Sequence, residues 1–376
     1  MEIKRELLGD WFIFGRQTGY KYALASVGRP ALKLRDVMEA LDPDMTLDWS
    51  GHWFGPPVLL ERIIKSLDYN VTPDCILPVN GTYEANWLPL MALLGAGDEV
   101  ILEMPAWMQI HTVCEGLGCV IKKWELRQEN SWKPDLDDLK KLITDKTKLI
   151  YINHPNNPTG SVLTPAEMDE LCAVARKHGI YVLSDEIYRG LEWDGPMSPS
   201  VVNHYERGVS AASVTKLLGM AGLRLGWMVT RDKALYDRCF PIHRYSVQVT
   251  NVLSERIGAY VLEPTRFNQI LESGKQDGRR NLETLGRWIE NSKVFSWVSP
   301  GGGYICFPRF DLPVGSWELC RRLITEEPYR VYLVPGVCYA PSYDNHIRVG
   351  FGVPPQTMEK GLQLVEEFAD ALGAKV

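Results

Sequence analysis

Residues 213–227 of the chain read S-V-T-K-L-L-G-M-A-G-L-R-L-G-W and place two cations among small and apolar residues. Lys216 stands between a hydroxyl residue, Thr215, and a glycine-punctuated run, and Arg224 follows eight positions later. A buried cation without a partner is very costly in free energy, so such a lysine should be ion-paired, neutral or covalently bound. The rest of the chain has to distinguish these three states.

Composition and charge are typical of a globular chain. The 376 residues are 45% hydrophobic and 23% charged, and this length allows a sizeable core and about two domains. The net charge of −6 gives no reason to expect nucleic acid or an anionic membrane as a partner. No segment approaches the ~20 apolar residues of a membrane span, and the N-terminus lacks a signal-peptide pattern. We therefore expect a cytoplasmic protein.

The eight cysteines show no C-x-x-C pair and no spacing typical of metal ligands. In a cytoplasmic protein this pattern favours reduced thiols over a disulfide framework or a zinc site. We expect no metal.

Apolar runs alternate with amphipathic stretches through the middle of the chain. Short runs such as K-L-I-Y-I-N, ending at Asn153, and I-Y-V-L-S-D, ending at Asp185, are typical of strands buried on both faces. Between them, Thr164 is predicted to cap a helix that Gly179 closes. The pattern predicts an α/β fold with a mostly parallel central sheet flanked by helices, and functional residues at the carboxyl ends of its strands.

The sequence changes character towards its C-terminal end. After residue 278 a long helical segment leads to V-S-P-G-G-G-Y-I-C-F-P-R-F and then to further short strands and helices. We predict a large domain over residues 45–277 and a smaller α+β domain formed by residues 1–44 and 278–376. No repeat or low-complexity linker separates them, so the two should pack closely.

Polar residues stand where three of the predicted strands end. Asn157 lies in N-P-T-G, for which a simple turn is the alternative interpretation. Asp185 directly follows I-Y-V-L-S and precedes Tyr188 by three residues, although a lone Asp there would most often cap a helix. Lys216 by itself could be a surface lysine with a buried stem. Their order and spacing together are far more specific than any one of them.

This combination resembles the aspartate aminotransferase superfamily, the fold type I enzymes that use pyridoxal 5'-phosphate (PLP). The resemblance extends from about residue 45 to the end of the chain. The matching motifs are G-D-E-V at Gly97, P-A-W at Pro105, N-P-T-G at Asn157, D-E-I-Y at Asp185, S-V-T-K at Lys216, G-L-R-L-G at Arg224 and H-I-R-V at Arg348.

The resemblance implies a role for each residue around the cofactor ring. Lys216 would bind PLP covalently as a Schiff base and, once released, would transfer the substrate proton. Asp185 would keep the pyridine nitrogen protonated, so that the ring accepts electrons from the substrate. Asn157 and Tyr188 would hydrogen-bond the phenolic oxygen of the cofactor, and Trp107 would stack on its ring.

The resemblance also implies a phosphate site and a site for the substrate carboxylate. N-G-T-Y-E-A opens a helix whose first backbone N–H groups favour an anion, and a serine and an arginine side chain would complete the site. Arg348 would bind the substrate α-carboxylate as a bidentate fork, next to Asn157; the alternative is a strand salt bridge. The residues implied for the phosphate are Gly81, Thr82, Tyr83, Ser213 and Arg224.

Several segments depart from the pattern of the superfamily. Y-A-L-A-S-V-G-R-P replaces its usual G-x-P-D-F-like segment, and Trp53 and Phe54 stand where many relatives have a tyrosine that reaches the neighbouring subunit. The S-V-G segment, the run from Leu126 and G-G-G-Y-I-C-F-P-R-F are similar to an arginine-processing cyclase of the superfamily. Aromatic residues near the N-terminus fit either core and dimer packing or substrate recognition.

The resemblance implies a homodimeric enzyme acting at the α-carbon of an amino acid. An aminotransferase that forms a 2-oxo acid by a ping-pong mechanism is the first interpretation. A PLP-dependent cyclase, lyase or oxidase is the alternative, because the same cofactor contacts serve all of these reactions. Regulators with this fold carry a basic winged-helix segment, for which residues 1–44 leave no room.

Overall fold

The computed structural model describes residues 2–373 of the chain. The α-helices within this range are α1 (Leu7–Thr18), α2 (Pro57–Ser66), α3 (Thr82–Leu93), α4 (Gln109–Gly116), α5 (Leu136–Leu142), α6 (Pro165–His178), α7 (Val201–His204), α8 (Val214–Leu217), α9 (Lys233–Ser246), α10 (Val252–Val261), α11 (Pro264–Asn291), α12 (Ser316–Thr325) and α13 (Pro355–Gly373). The strands are β1 (Tyr22–Ala23), β2 (Ala25–Ser26), β3 (Ile76–Val79), β4 (Glu99–Met104), β5 (Val120–Glu125), β6 (Thr147–Asn153), β7 (Tyr181–Asp185), β8 (Gly208–Ser213), β9 (Gly226–Thr230), β10 (Phe295–Ser296), β11 (Ile305–Cys306), β12 (Arg309–Phe310), β13 (Val331–Tyr332), β14 (Val334–Pro335) and β15 (Ile347–Phe351).

A seven-stranded sheet forms the centre of the molecule, in the order β3-β9-β8-β7-β6-β4-β5. Only β9 runs antiparallel to its neighbours, so six of the strands point the same way. Every residue of β3, β8 and β9 is buried, as expected for strands with helices on both faces. The predicted α/β fold with a mostly parallel central sheet is confirmed.

Helix α6 illustrates how local sequence sets the ends of an element. The Thr164 hydroxyl accepts a hydrogen bond from the Glu167 N–H at 3.2 Å, and the Glu167 carboxylate accepts one from the Thr164 N–H at 2.7 Å. Gly179 closes the helix in the left-handed region at φ +66°. These reciprocal bonds satisfy backbone groups that a helix end leaves free, so both predicted ends are confirmed.

The two ends of the chain meet in smaller sheets beside the central one. Strand β15 pairs with β11, β14 and the N-terminal strand β2, and β1 pairs with β13. The predicted domain limits remain predictions. The limit at 277/278 falls inside α11, which runs without interruption from Pro264 to Asn291, so a continuous helix spans that position.

The N-terminal aromatic residues divide between core and surface. Trp11 is fully buried, donates from Nε1 to the Leu333 carbonyl at 2.8 Å and packs edge-on against Trp317. Trp49 stands 45% exposed and Phe54 52% exposed. Core packing therefore accounts for only part of this aromatic group.

Three further features bear on the predicted class of protein. All eight cysteines are free in the structure. Within residues 2–373, no group of three or more acidic, histidine or cysteine side chains is arranged to hold a metal ion. Among the same residues, no helix has both the length and the apolar character to span a membrane.

Candidate active site

Most of the predicted site residues meet at one edge of the central sheet. Strands β3, β4, β6, β7 and β8 all end there, which brings together the loops carrying Thr82, Trp107 and Asn157 and the end of β7 at Asp185. Strand β9 runs in the opposite direction, so its amino end lies at the same edge as the carboxyl end of β8. Lys216 follows β8 and Arg224 precedes β9, which is why one short stretch supplies two cations to one site.

A cavity of about 610 Å³ opens at this edge. Nine of the eleven predicted site residues line it: Thr82, Tyr83, Trp107, Asn157, Asp185, Tyr188, Lys216, Arg224 and Arg348. The other two, Gly81 and Ser213, do not form part of its wall. Ser213 is buried behind it and accepts a hydrogen bond from the Thr215 N–H at 3.2 Å as the N-cap of α8, whereas Thr215 itself lines the cavity.

Lys216 lines the cavity, and its side chain is largely withdrawn from solvent. Burial, together with the nearby positive charges of Arg348 and Arg224, lowers the pKa of its amine to about 8. Both effects disfavour the charged ammonium group. A larger fraction of this amine is therefore neutral and nucleophilic near pH 7 than for a lysine in water, which is what covalent catalysis by a lysine needs.

Asp185 is fully buried at the carboxyl end of β7. Burial raises the pKa of its carboxyl group to about 6, although hydrogen bonds from Asn86 Nδ2 at 2.8 Å and the Ile187 N–H at 3.1 Å oppose the rise. The carboxylate thus lacks a fixed positive partner among the described residues other than the nearby Lys216. A cationic group of a ligand would stabilise its charged form.

Arg348 projects from β15 towards the same cavity and is almost completely buried. One of its terminal nitrogens donates to the Tyr339 hydroxyl at 3.0 Å and lies 3.4 Å from Asn157 Oδ1, and the other donates to the Ala25 carbonyl at 3.3 Å. Its Nε finds no hydrogen-bond partner, and no described carboxylate pairs with it. A buried guanidinium with only neutral partners is arranged to receive an anion.

A buried polar network holds the loop after β6. Glu103 Oε1 lies 2.6 Å from His154 Nε2, and Glu103 Oε2 accepts from the Asn153 N–H at 2.9 Å. Asn153 in turn donates from Nδ2 to the Asp185 carbonyl at 2.9 Å and accepts from the Asn157 N–H at 2.9 Å. Through these bonds Glu103 fixes the position of Asn157 relative to Asp185.

The start of α3 forms a cradle suited to a phosphate. Gly81 adopts φ +79°, and a Cβ at this position would collide with the guanidinium of Arg224. Arg224 itself lies in the left-handed region at φ +53° and donates to the Asn80 carbonyl at 3.3 Å. Thr82 Oγ1 is buried and has no hydrogen-bond partner. An unpaired hydroxyl, a helix N-terminus and an arginine side chain together fit a phosphate group.

Aromatic side chains enclose the remaining space. Trp107 packs against Phe12, with ring centroids 6.4 Å apart, and edge-on against Tyr83 at 5.7 Å. Tyr188 is buried in the wall, and burial raises the pKa of its hydroxyl group. Trp107 and Tyr188 thus line the same cavity as Lys216 and Asp185, and aromatic walls of this kind suit an aromatic cofactor.

Three residues of the site were missed by sequence reasoning. Asn86 lies one turn after Thr82 on α3, so helical periodicity from the predicted phosphate loop could have indicated it. Phe12 belongs to the noted N-terminal aromatic group, but its place above Arg348, with 5.6 Å between the guanidinium carbon and the ring centroid, depends on the fold. No sequence signal pointed to Tyr339.

Comparisons with known proteins place this chain in a family. Residues 29–365 match the aminotransferase class I and II family, and the chain belongs to it. Capreomycidine synthase of Streptomyces vinaceus is 29% identical over 338 residues, which cover 88% of this chain and 85% of the relative. Aspartate aminotransferase of Pyrococcus abyssi is 27% identical over 338 residues, with the same coverage of 88% and 85%.

A solved structure agrees with these relatives over nearly the whole chain. The crystal structure of a PLP-dependent aminotransferase from Streptococcus suis superposes with a TM-score of 0.90 at 28% identity and covers 99% of both chains. The predicted superfamily is thereby confirmed. Family membership implies PLP as the cofactor, as predicted from the sequence, and Lys216 in the cavity wall, the unpaired Thr82 hydroxyl and the cradle at Gly81 fit that group.

Proposed function

We propose that this protein is an aminotransferase that uses PLP to convert an amino acid into a 2-oxo acid. The observation that carries the proposal is the grouping of Lys216, Asp185 and Arg348 on one cavity. These side chains provide an amine with a pKa lowered to about 8, a buried carboxylate, and a buried guanidinium without an acidic partner. Each of these groups by itself could have a purely structural role. Together they are the groups needed to bind an amino-acid substrate beside a cationic aromatic ring.

In this proposal, different side chains around the cavity bind different parts of the cofactor. Lys216 would hold the aldehyde end covalently, and Asp185 would stabilise a protonated pyridine nitrogen. Asn157 and Tyr188 would hydrogen-bond the phenolic oxygen, and Trp107 would cover one face of the ring. The N-terminus of α3 with Gly81, Thr82, Tyr83, Ser213 and Arg224 would hold the phosphate.

The chain's own residues account for substrate binding and proton transfer. Arg348 would bind the α-carboxylate, and its unpaired Nε gives the guanidinium a free donor for a bidentate contact. Lys216, displaced by the substrate amine, would remove the proton from the α-carbon, a role that its lowered pKa favours. When bound, PLP supplies the electron sink for the broken C–H bond and carries the amino group between the two half-reactions.

Cyclisation of the amino acid is the second candidate. The similarity to capreomycidine synthase supports it, because the cofactor contacts named above would serve such a reaction equally well. The reaction type therefore has to be distinguished by its products.

A single-turnover experiment tests the proposal. The holoenzyme is mixed with each amino acid of a panel in the absence of a 2-oxo acid, and the cofactor is extracted and quantified. Stoichiometric conversion of PLP into pyridoxamine phosphate, with one equivalent of 2-oxo acid, is the expected result. A cyclic product with the cofactor still in its aldehyde form would contradict transamination and favour the second candidate, whereas release of ammonia or uptake of oxygen would contradict both and indicate elimination or oxidation.

A further inference from the structure

Three polar side chains from separate parts of the chain meet at the cavity wall. Arg348 Nη1 lies 3.0 Å from the Tyr339 hydroxyl oxygen, and that oxygen lies 3.0 Å from Asn157 Oδ1. The direct distance from Nη1 to Oδ1 is longer, at 3.4 Å. Arg348 is on β15, Asn157 is in the loop after β6, and Tyr339 follows β14. The Tyr339 hydroxyl therefore bridges the other two side chains.

Packing holds Tyr339 in this position. The residue is buried, and its ring packs edge-on against Phe307 with ring centroids 5.6 Å apart. Its backbone N–H donates to the Gly336 carbonyl at 2.9 Å, in a turn where a Cβ at position 336 would collide with the Tyr343 carbonyl. Tyr339 does not form part of the cavity wall, so it would act on a bound ligand only through another residue.

The direction of each hydrogen bond in this group follows from the chemistry of its members. A guanidinium has donors only, so the Tyr339 oxygen accepts from Arg348. The hydroxyl keeps its own proton near neutral pH, because burial raises its pKa to about 12 although Arg348 opposes the rise. Asn157 Oδ1 accepts that proton. The bonds therefore run from Arg348 to Tyr339 and from Tyr339 to Asn157.

This sequence of bonds determines which way the Asn157 amide faces. The oxygen and nitrogen of an amide have similar shapes, so hydrogen bonds decide between its two orientations. With Oδ1 towards Tyr339 the amide accepts a hydrogen bond, whereas a flipped amide would place its NH2 group against the Tyr339 and Arg348 donors. Asn157 Nδ2 makes no hydrogen bond with any residue in 2–373, and Asn157 lines the cavity. The amide thus offers a free donor to a ligand there.

We propose that Tyr339 is a positioning residue, whose hydroxyl fixes the Asn157 amide with its NH2 group towards the phenolic oxygen of PLP. This inference rests on the proposed function for the contact between Asn157 and the cofactor. Without the hydroxyl, Oδ1 would keep only the longer contact with Arg348, and the flipped amide would be less unfavourable. A phenylalanine would fill the same space and lack this effect.

The orientation of the amide has a consequence for the bound cofactor. A hydrogen-bond donor at the phenolic oxygen stabilises its anionic form and makes the bound cofactor less basic. Loss of that donor should therefore raise the pKa at which bound PLP gains a proton. The change in PLP absorbance that accompanies this protonation should then occur at higher pH.

Absorbance titration of the holoenzyme tests the inference without any substrate. We expect Tyr339→Phe to move the midpoint of the PLP absorbance change to higher pH by about 0.5 or more, which is about a threefold rise in proton affinity. Tyr205→Phe is the matched control. It also removes a buried hydroxyl, which donates to the Ile180 carbonyl at 2.8 Å outside the cavity, and it should leave the midpoint unchanged.

A double-mutant cycle shows whether Tyr339 acts through the Asn157 amide. Asn157→Ala should raise the midpoint at least as far as Tyr339→Phe does, and Tyr339→Phe added to Asn157→Ala should change it no further. An unchanged midpoint in Tyr339→Phe alone would overturn the positioning role. A shift that persists in full in the Asn157→Ala background would show that Tyr339 acts by another route and would contradict the assignment.

Other titrating groups are common to all of these proteins, so their contributions cancel in the comparison. Cys338 and Glu6 affect the pKa of Tyr339, and burial raises the pKa of both groups. The charged groups of the cavity wall are Arg16, Arg29, Asp185, Lys216, Arg224 and Arg348. Because the titration needs no amino acid, the single-turnover experiment can contradict transamination while the effect of Tyr339 on bound PLP is still observed.

Discussion

At the scale of single residues, the site combines charged groups that are unfavourable until a ligand binds. Lys216 and Asp185 both have pKa values displaced towards their neutral forms, and Arg348 is buried without an acid. Such groups lower the stability of the unliganded protein, and they persist at functional sites because ligand binding stabilises them. Two predictions follow from this arrangement, one for each of the first two residues.

Lys216→Ala should abolish covalent attachment of PLP, because no other lysine lines the described cavity. The measurement is mass spectrometry of the protein after reduction with borohydride in the presence of PLP. The wild type should gain one reduced cofactor per chain at Lys216, and the variant none while remaining folded. Lys146→Ala, at an exposed position, serves as the control. A stoichiometric adduct on another lysine of the Lys216→Ala protein would show that the assignment is wrong.

Asp185→Asn should stabilise the cofactor-free protein at neutral pH. The rise in the pKa of Asp185 from 3.8 to about 6 corresponds to about 3 kcal/mol by which ionisation of the buried carboxyl destabilises the fold. Because the pKa of Asp185 is higher in the folded state than in the unfolded state, the wild type is penalised only where the carboxyl ionises. Its stability relative to the variant is therefore retained below pH 3.8 and is lost as the pH rises through about 6.

Urea unfolding of the cofactor-free wild type and of Asp185→Asn at several pH values between 4 and 7 checks this expectation. The difference in the free energy of unfolding should be small at pH 4 and should grow towards pH 7 in favour of the variant. A constant difference across this range would mean that the carboxyl of Asp185 titrates normally in the fold.

At the scale of elements, the ends of β4, β6 and β7 are joined by side chains instead of by the sheet alone. Glu103 on β4 bonds to Asn153, the last residue of β6, and to His154, which follows it. Asn153 bonds to the backbone of Asp185 on β7. These groups are all buried, so each depends on its partner for a hydrogen bond. Removing one acceptor should therefore leave several groups unsatisfied at once.

Glu103→Ala should lower the free energy of unfolding by about 3–5 kcal/mol, because it removes the acceptor of a buried network. Glu103→Gln should cost much less, since its amide can still accept from the Asn153 N–H and donate to a neutral His154. Denaturant unfolding measures both changes. Glu99→Ala, at the other end of β4 with a partly exposed pair to Lys122, should change stability by no more than about 1 kcal/mol. Equal losses for both Glu103 variants would refute the network interpretation.

At the scale of the whole molecule, exposed apolar residues concentrate in one segment. Of the thirteen large apolar side chains that are exposed within residues 2–373, six lie between positions 34 and 58: Leu34, Met38, Leu47, Trp49, Phe54 and Val58. The segment packs beside β3, where Gly55 lies against Pro78. Exposed apolar patches often mark contacts between chains, so we propose that this segment forms part of the homodimer expected from the sequence.

Phe54→Asp should weaken the homodimer, because it places a charge on an apolar residue that is 52% exposed and packs on Phe240. Analytical ultracentrifugation should show the wild type at twice the 42.6 kDa of one chain and the variant shifted towards monomer at low concentration. Val120→Asp, 49% exposed on the opposite edge of the central sheet, should leave the assembly unchanged. A fully active wild-type monomer would rule out the proposal.

Much of the fold and of the site was accessible from the sequence, because its signals are local. The alternation of buried strands and capped helices predicted the parallel sheet, and strand ends predicted where Asn157, Asp185 and Lys216 would meet. Arg348 could be named because its motif resembled that of the family. Asn86 and Tyr339 were missed because their contacts join elements distant in the chain. Helical spacing from Thr82 could have indicated Asn86, whereas no neighbouring residue marks Tyr339.

The sequence by itself determined the class of protein, since the order and spacing of its motifs can be read from a single chain and point to one cofactor. Only the tertiary structure decided which charges share a cavity and which of them already have partners. Arg16 and Arg29 look alike in the sequence, yet one bonds to α11 and the other faces the cavity without a partner among the described residues. The physical reason is that pairing energies depend on distances between side chains, and those distances are set by the packing of elements far apart along the chain.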